Sequence, residues 1–291
     1  MGVTTQRSEF RQRVGRALGR KYYDASTVST GATVNEIPDP KRTERPAHWD
    51  GASIKVGTEA EVYVRGGGGS INTGTGLLCL DRDLAGVPTN GTAYEILKGW
   101  TFQDLADSLD WAHKNTWPHF FLPIYDTSTI AEIANTLSYP GPVAWQTITK
   151  VSREQVKGAT PAWYEEKFEG SEYRIEIDAS GNLVLQLLYT PDAGRKIKVE
   201  GRQFMTLGAA DTSSSVVPWE VIVPGALHYL YDKGISADEM NTALRATFAQ
   251  ESDKQLAIYE QRKVQFKMRQ PTRRASFPII SETNTGMTVL N

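Results

Sequence analysis

Apolar positions near the start of the chain recur at helical spacing: Phe10, Val14, Ala17 and Leu18 fall at i, i+4, i+7 and i+8, with Arg7, Arg11, Arg13 and Arg16 largely elsewhere. The spacing predicts a helix over Gln6–Leu18, ended by Gly19. One short amphipathic helix is marginal by itself, so its stripe must pack on later elements. From Tyr22 to Lys98 the period changes to short β-type runs at Ser53–Val56, Ala60–Val64, Leu77–Asp81 and Tyr94–Leu97. Asn90-Gly91 and the run Gly66–Gly69 separate them, predicting a small antiparallel sheet or barrel with an exposed loop at its tip.

Helical spacing returns at Phe102, Leu105, Ala106, Leu109 and Ala112, behind a capping-box variant, Thr101-Phe-Gln-Asp104. That helix should run to Asn115, before Trp117-Pro118 stops it. Alternation then dominates. Tyr173, Ile175 and Ile177 alternate with Arg174, Glu176 and Asp178; Leu183, Leu185, Leu187 and Tyr189 share one face; and Ile197 and Val199 alternate with charged residues, predicting a meander of at least three strands. Trp219–Lys233 reads as an apolar helix containing Pro224. A capping box, Ser236-Ala-Asp-Glu239, opens a helix expected to run from Ala237 to Met268, about 48 Å at 1.5 Å per residue. Helices of that length outside a repeat usually cross a subunit interface or wall a channel.

The tail Arg269–Asn291 cannot fold alone, because Pro271 and Pro278 exclude helix and its apolar residues are few and scattered. It is either a frayed terminus or an extended arm that docks on another subunit, and Phe277-Pro-Ile-Ile280 is more apolar than a typical disordered end. These readings divide the chain into a basic N-terminal helix (1–21), a first β-rich region (22–98), a central helix (99–122), a second β-rich region with a β-meander (123–215), C-terminal helices (216–268) and an extended arm (269–291). The fold class expected is α+β: a helical core of N-terminal helix, central helix and C-terminal helix pair, with two antiparallel β-rich regions and the arm.

At 291 residues, 40% hydrophobic and 23% charged, the composition is that of a soluble globular protein. Charge changes the picture more. The net of −2 hides +5 over residues 1–21 and +6 over 262–274, which leaves −13 on the rest. Basic ends on an acidic body favour self-association by complementary charge and argue against a protein dedicated to gripping DNA. The candidate partner-contacting residues are therefore Arg7 and Arg11 at one end and Arg269, Arg273, Arg274, Phe277, Ile279 and Ile280 at the other.

Catalytic chemistry finds little support. Ser70 follows Gly68-Gly69 but lacks the second glycine of a nucleophile elbow, and the same loop has no Gly-Lys-Ser/Thr to cradle phosphate. His48, His113, His119 and His228 never occur at i, i+4, so no zinc or other metal is expected. Asp81-Arg-Asp83 reads as a solvated turn, and Glu165-Glu166 and the Asp104, Asp107, Asp110 series read as helix surface. The lone Cys79 sits in an apolar run and reads as a buried, inert thiol. No cofactor, secretory signal or membrane span is expected. Trp145 and Trp163 could serve sugar binding, although the scatter of the seven tryptophans fits packing better.

Several strings do resemble a known group: Leu18-Gly-Arg-Lys-Tyr-Tyr-Asp24, the threonine-rich strand Ala25–Val34, Trp49-Asp-Gly-Ala52, Tyr173-Arg-Ile-Glu-Ile-Asp-Ala-Ser-Gly181, Gly194-Arg-Lys-Ile-Lys-Val-Glu-Gly201, and Pro218-Trp-Glu-Val-Ile to Ala226-Leu-His-Tyr-Leu-Tyr231. In style and order they are similar to tailed-bacteriophage neck proteins of the head-to-tail connector and adaptor kind. The resemblance implies a non-enzymatic virion protein of the phage neck, assembled in the host cytoplasm. It also implies a homo-oligomeric ring, commonly of twelve subunits, with the portal protein and tail or neck proteins as partners. DNA would pass through its channel without sequence-specific binding. The chain departs from the smaller helical adaptors in having two β-rich regions. A β-sandwich glycan-binding module or glycan-active enzyme is the alternative from another class, and a tail or decoration protein is a further virion station.

Overall fold

The computed structural model describes residues 5–42, 44–45, 47–58, 60–65, 71–72, 76–142, 145–154, 156–158, 164–165, 172–191, 194–235 and 242–267. Within them the chain is a mixed α+β protein of four helices and several antiparallel sheets.

The helices are α1 (Arg7–Leu18), α2 (Phe102–Lys114), α3 (Trp219–Ile235) and α4 (Thr242–Phe266). Local chemistry explains two of their ends. Thr101 Oγ1 accepts from the Asp104 amide at 3.0 Å while the Asp104 carboxylate accepts from the Thr101 amide at 2.8 Å, so two orphan donors at the start of α2 are satisfied reciprocally. Gly19 ends α1 at φ 89°, a conformation that favours glycine. The described part of α4 starts at Thr242; the expected start at Ala237, the capping box at Ser236–Glu239 and the tail from Met268 onward lie outside the described residues.

The helices share one core, and α3 is its centre. Val221, Ile222, Ala226, Leu227 and Leu230 are buried, touching α1 through Phe10 and Val14, α2 through Leu105 and Leu109, and α4 through Phe248 and Tyr259. Trp100 stacks on Phe248 with ring centroids 5.6 Å apart and donates its indole N–H to the Leu230 carbonyl at 2.8 Å. The α4 helix crosses back over the end of α2, where Lys263 Nζ donates to the Asn115 carbonyl at 3.1 Å, a cation placed where a helix C-terminus wants one.

The first β-rich region encloses a second core. One sheet orders its strands Tyr23–Thr27, Ala93–Leu97, Ser53–Val56 and Val62–Tyr63; the other orders Glu36–Pro38, Leu77–Cys79 and Ile71–Asn72. Trp49, Ile54, Leu78, Leu80 and Ile96 fill the space among them. Cys79 is half-buried rather than fully enclosed, and burial pushes its thiol up.

The second β-rich region is a sandwich with its own small core. A four-stranded sheet runs Tyr164–Glu165, Trp145–Glu154, Lys196–Gln203, Leu122–Ala131, and a three-stranded one runs Ser138–Pro140, Leu183–Leu187, Tyr173–Ile177. Ile130, Ile148, Val151, Ile197 and Val199 of the first meet Tyr139, Leu185 and Leu187 of the second. The expected meander is corrected here. Tyr173–Ile177 and Leu183–Leu187 do form a hairpin, but Lys196–Gln203 leaves it and enters the other sheet between Trp145–Glu154 and Leu122–Ala131. Its Ile197 and Val199 face the core from the opposite layer, so the alternation was real and the partner was different.

Candidate assembly surface

The N-terminal arginines were the first candidates for partner contact, and the fold turns both inward. Arg7 is buried on α1, pairs with Asp110 of α2 at 2.8 Å and donates to the carbonyls of Ala106 and Gly208. Arg11 bridges three parts of the chain: it forms a bidentate pair with Glu95 at 2.9 and 3.0 Å and meets Asp211 at 2.5 Å. Burial works against the Arg11 charge, but the bonds to Glu95 and Asp211 outweigh it and hold the guanidinium above its ordinary pKa. Lys55 also reaches Asp211, at 3.1 Å. These groups surround a cleft of about 350 Å³ whose charges are neutralised within the subunit. Arg7 and Arg11 therefore dock α1 on its own fold and do not present free charge to a partner. The other candidates, Arg269, Arg273, Arg274, Phe277, Ile279 and Ile280, lie outside the described residues, as do Trp163 and the Gly66–Gly69 loop.

Uncovered apolar surface points elsewhere. Among the described residues thirteen large hydrophobic side chains are exposed, and eight of them belong to the second β-rich region: Leu122, Tyr125, Ile133, Leu137, Val156, Ile175, Ile177 and Leu188. Single exposed hydrophobics need no explanation, but concentration in one module does. Ile133, Leu137 and Leu188 gather at one end of the sandwich, where the Leu187 amide donates to the Leu137 carbonyl and the Tyr139 hydroxyl accepts from the Ile133 amide. Ile175 and Ile177 stand on the outer strand, on the core side of their sheet, yet neither joins the buried cluster and Ile177 is 71% exposed. The loop beside this surface is held firmly. Glu132, almost fully buried, accepts from Arg153 at 2.9 Å and from the Tyr189 hydroxyl at 2.6 Å, and burial pushes that hydroxyl's pKa up.

The outer face of the four-stranded sheet has a different chemistry. Arg202 lies 4.3 Å over the Phe121 ring and Lys198 5.5 Å over the exposed Tyr125 ring, while Glu200 pairs with Lys198 at 2.8 Å. These residues line a shallow depression of about 740 Å³. A smaller hollow of about 340 Å³ touches Trp145, Gln146, Asp178 and Asn182. Asp178 is committed there to its own turn: it accepts from the Asn182 and Ser180 amides, both at 2.8 Å, bonds that hold its carboxyl below the usual value. Trp145 lies with its ring against the backbone of Gly201, where even a Cβ would not fit.

Sequence reading did not single out this surface. Ile175 and Ile177 were legible as one face of a strand, but nothing local signals that the core ends before reaching them. Among the described residues no three His, Cys, Asp or Glu side chains come together as metal ligands, and no helix is long and apolar enough to cross a membrane. No protein-family model matches the chain, and no curated protein matches it either.

Proposed function

We propose that the chain is a non-enzymatic structural subunit of a tailed-bacteriophage virion, a head-to-tail connector that forms a ring in the neck between portal and tail and lets DNA pass through its channel. The observation that carries this reading is the uncovered apolar surface of the second β-rich region, which a lone subunit leaves in water and an assembled one would cover. The neck-protein style of the strings from Leu18 to Tyr231 supports it, as does the acidic body between basic ends. In this reading the outer face of α4 and the uncovered β-rich surface build the ring, commonly of twelve subunits, while α3, expected to share that role, is buried at the centre of the subunit's own core; the arm Arg269–Asn291 docks on the adjoining portal or tail protein. The acidic body faces the channel, where repulsion keeps DNA sliding.

Virions made without the protein test the station directly: filled heads and free tails that fail to join are expected, whereas complete tailed particles would overturn the assignment. Deleting Arg269–Asn291 should leave a folded subunit that no longer joins heads to tails; full infectivity would remove the arm's role. A tail or decoration station differs from this proposal in its partner alone. The hollow beside Trp145 is what favours the glycan-binding or glycan-active alternative, and the packing of that ring on Gly201 weighs against it. Glycan-array binding lost in Trp145→Ala would favour that alternative.

A further inference from the structure

The strand Lys196–Gln203 does not end where its neighbours do. Those strands begin at Leu122 and Trp145, both opposite Gln203, and beyond that residue the chain runs straight on from Phe204 to Gly208 past α2. The alternation of a strand persists there: Met205 and Leu207 are buried, Phe204 is half-buried and Thr206 is exposed. The hydrogen bonds of a strand do not. Arg7 donates to the carbonyls of Leu207 and Gly208 at 3.3 and 3.1 Å, whereas among the described residues no protein group bonds the backbone of Phe204, Met205 or Thr206. A buried backbone group left unpaired costs about as much as a lost hydrogen bond, so such a run calls for a partner. Beside it lies a hollow of about 430 Å³, walled by Asp110 and Lys114 of α2, by Gln146 and by Phe204–Leu207 themselves, a size within the range of ligand-holding clefts.

We propose that an extended segment of a partner protein, alternating apolar and acidic residues, lies in this hollow and adds as a strand to Phe204–Leu207. Each property of the occupant follows from a wall of the hollow. Unspent amides and carbonyls call for another backbone, the mode of strand addition at a sheet edge. Phe204, Met205 and Leu207 call for apolar side chains on one face of that segment. Lys114 calls for a carboxylate: its Nζ lies 5.7 Å from the centroid of the Phe204 ring, and among the described residues it forms no ion pair. Asp110, on the same wall, is already bound to Arg7 at 2.8 Å. The chain's own tail does not fit this chemistry, because residues 269–280 hold three arginines and no acid. The hollow lies within one subunit, so it takes its occupant with or without a ring.

The test titrates the full chain with two short capped peptides, Val-Glu-Val-Glu-Val and Val-Lys-Val-Lys-Val, followed by NMR. Wild type should bind the glutamate peptide about fivefold or more tightly than the lysine peptide, since the first sets a carboxylate on Lys114 and the second an ammonium. Lys114→Glu, a change on the exposed last turn of α2, should reverse that preference. Hydrogen exchange reads the backbone contact. Alternate amides within Phe204–Leu207 face the hollow; they should exchange freely in the unliganded chain and become protected when the glutamate peptide binds. No binding of the glutamate peptide, equal affinity for the two peptides in wild type, an unreversed preference in Lys114→Glu, or binding that leaves those amides open would overturn the proposal. Ring formation enters none of these measurements, so failure of this site and failure of the connector reading are distinguishable.

Discussion

Acidification should loosen the helical core through one side chain, His113. The residue is fully buried near the end of α2, its Nδ1 lies 2.8 Å from the Leu109 carbonyl and so carries the proton, and the ring meets Phe10 edge to face with centroids 5.2 Å apart. Nε2 is buried without a partner, so an imidazolium would place a second N–H where nothing accepts it. Burial accordingly pushes the imidazole down to about 4, from 6.5. Between these values the unfolded chain takes up a proton that the folded chain refuses, so stability is full above about pH 6.5 and falls as the pH drops towards 4. Linkage gives a loss of about 2 kcal/mol at pH 5 and about 3 kcal/mol at pH 4. Burial works to raise Asp104 and Asp211, but bonds from Lys233 and Arg11 outweigh it and hold both below the usual carboxyl value, so their own losses come below about pH 4. Urea unfolding of wild type and His113→Leu at pH 7, 6, 5 and 4.5 measures the effect. The variant should lose about 1 kcal/mol or less at pH 7 and lack the slope below 6.5. Equal slopes in the two proteins would refute the reasoning.

Other changes probe the joints of the fold. Arg11→Met strips the partner from Glu95, itself mostly buried, and should cost about 3 kcal/mol in urea unfolding. Gly225→Ala pits a helix-propensity gain of about 1 kcal/mol against overpacking, since the new Cβ would lie 2.8 Å from the Tyr259 ring, and Tyr259 is pinned by donating to the Ala112 carbonyl. Overpacking should win, lowering stability by about 1 kcal/mol net. Thr101→Ala removes the cap of α2 and should cost about 1 kcal/mol, seen as a lower thermal midpoint.

Legibility in the sequence followed the range of the forces involved. The helices α1, α2 and α3 could be placed to within two residues, because a capping box, a terminal glycine and a stripe at 3.6-residue spacing are all local. Strand faces were legible for the same reason: Leu185 and Leu187 are fully buried, as their alternation implied. Strand partners were not. Lys196–Gln203 follows the hairpin in sequence but pairs with strands some fifty and seventy residues earlier, a choice made by the whole core and invisible to a period of two. The same distance hid the fate of Arg7 and Arg11, whose carboxylates sit on α2, on Ala93–Leu97 and at Asp211. A charge run shows its own sign and says nothing of what the fold brings beside it.

The proposed ring would form through surfaces that a lone subunit leaves uncovered. Negative-stain imaging of the purified full-length protein tests that most directly. Class averages of a ring with a central hole and rotational symmetry are expected, twelvefold in the form expected of a neck connector. Isolated particles without a hole, at concentrations where the protein is folded, would contradict it.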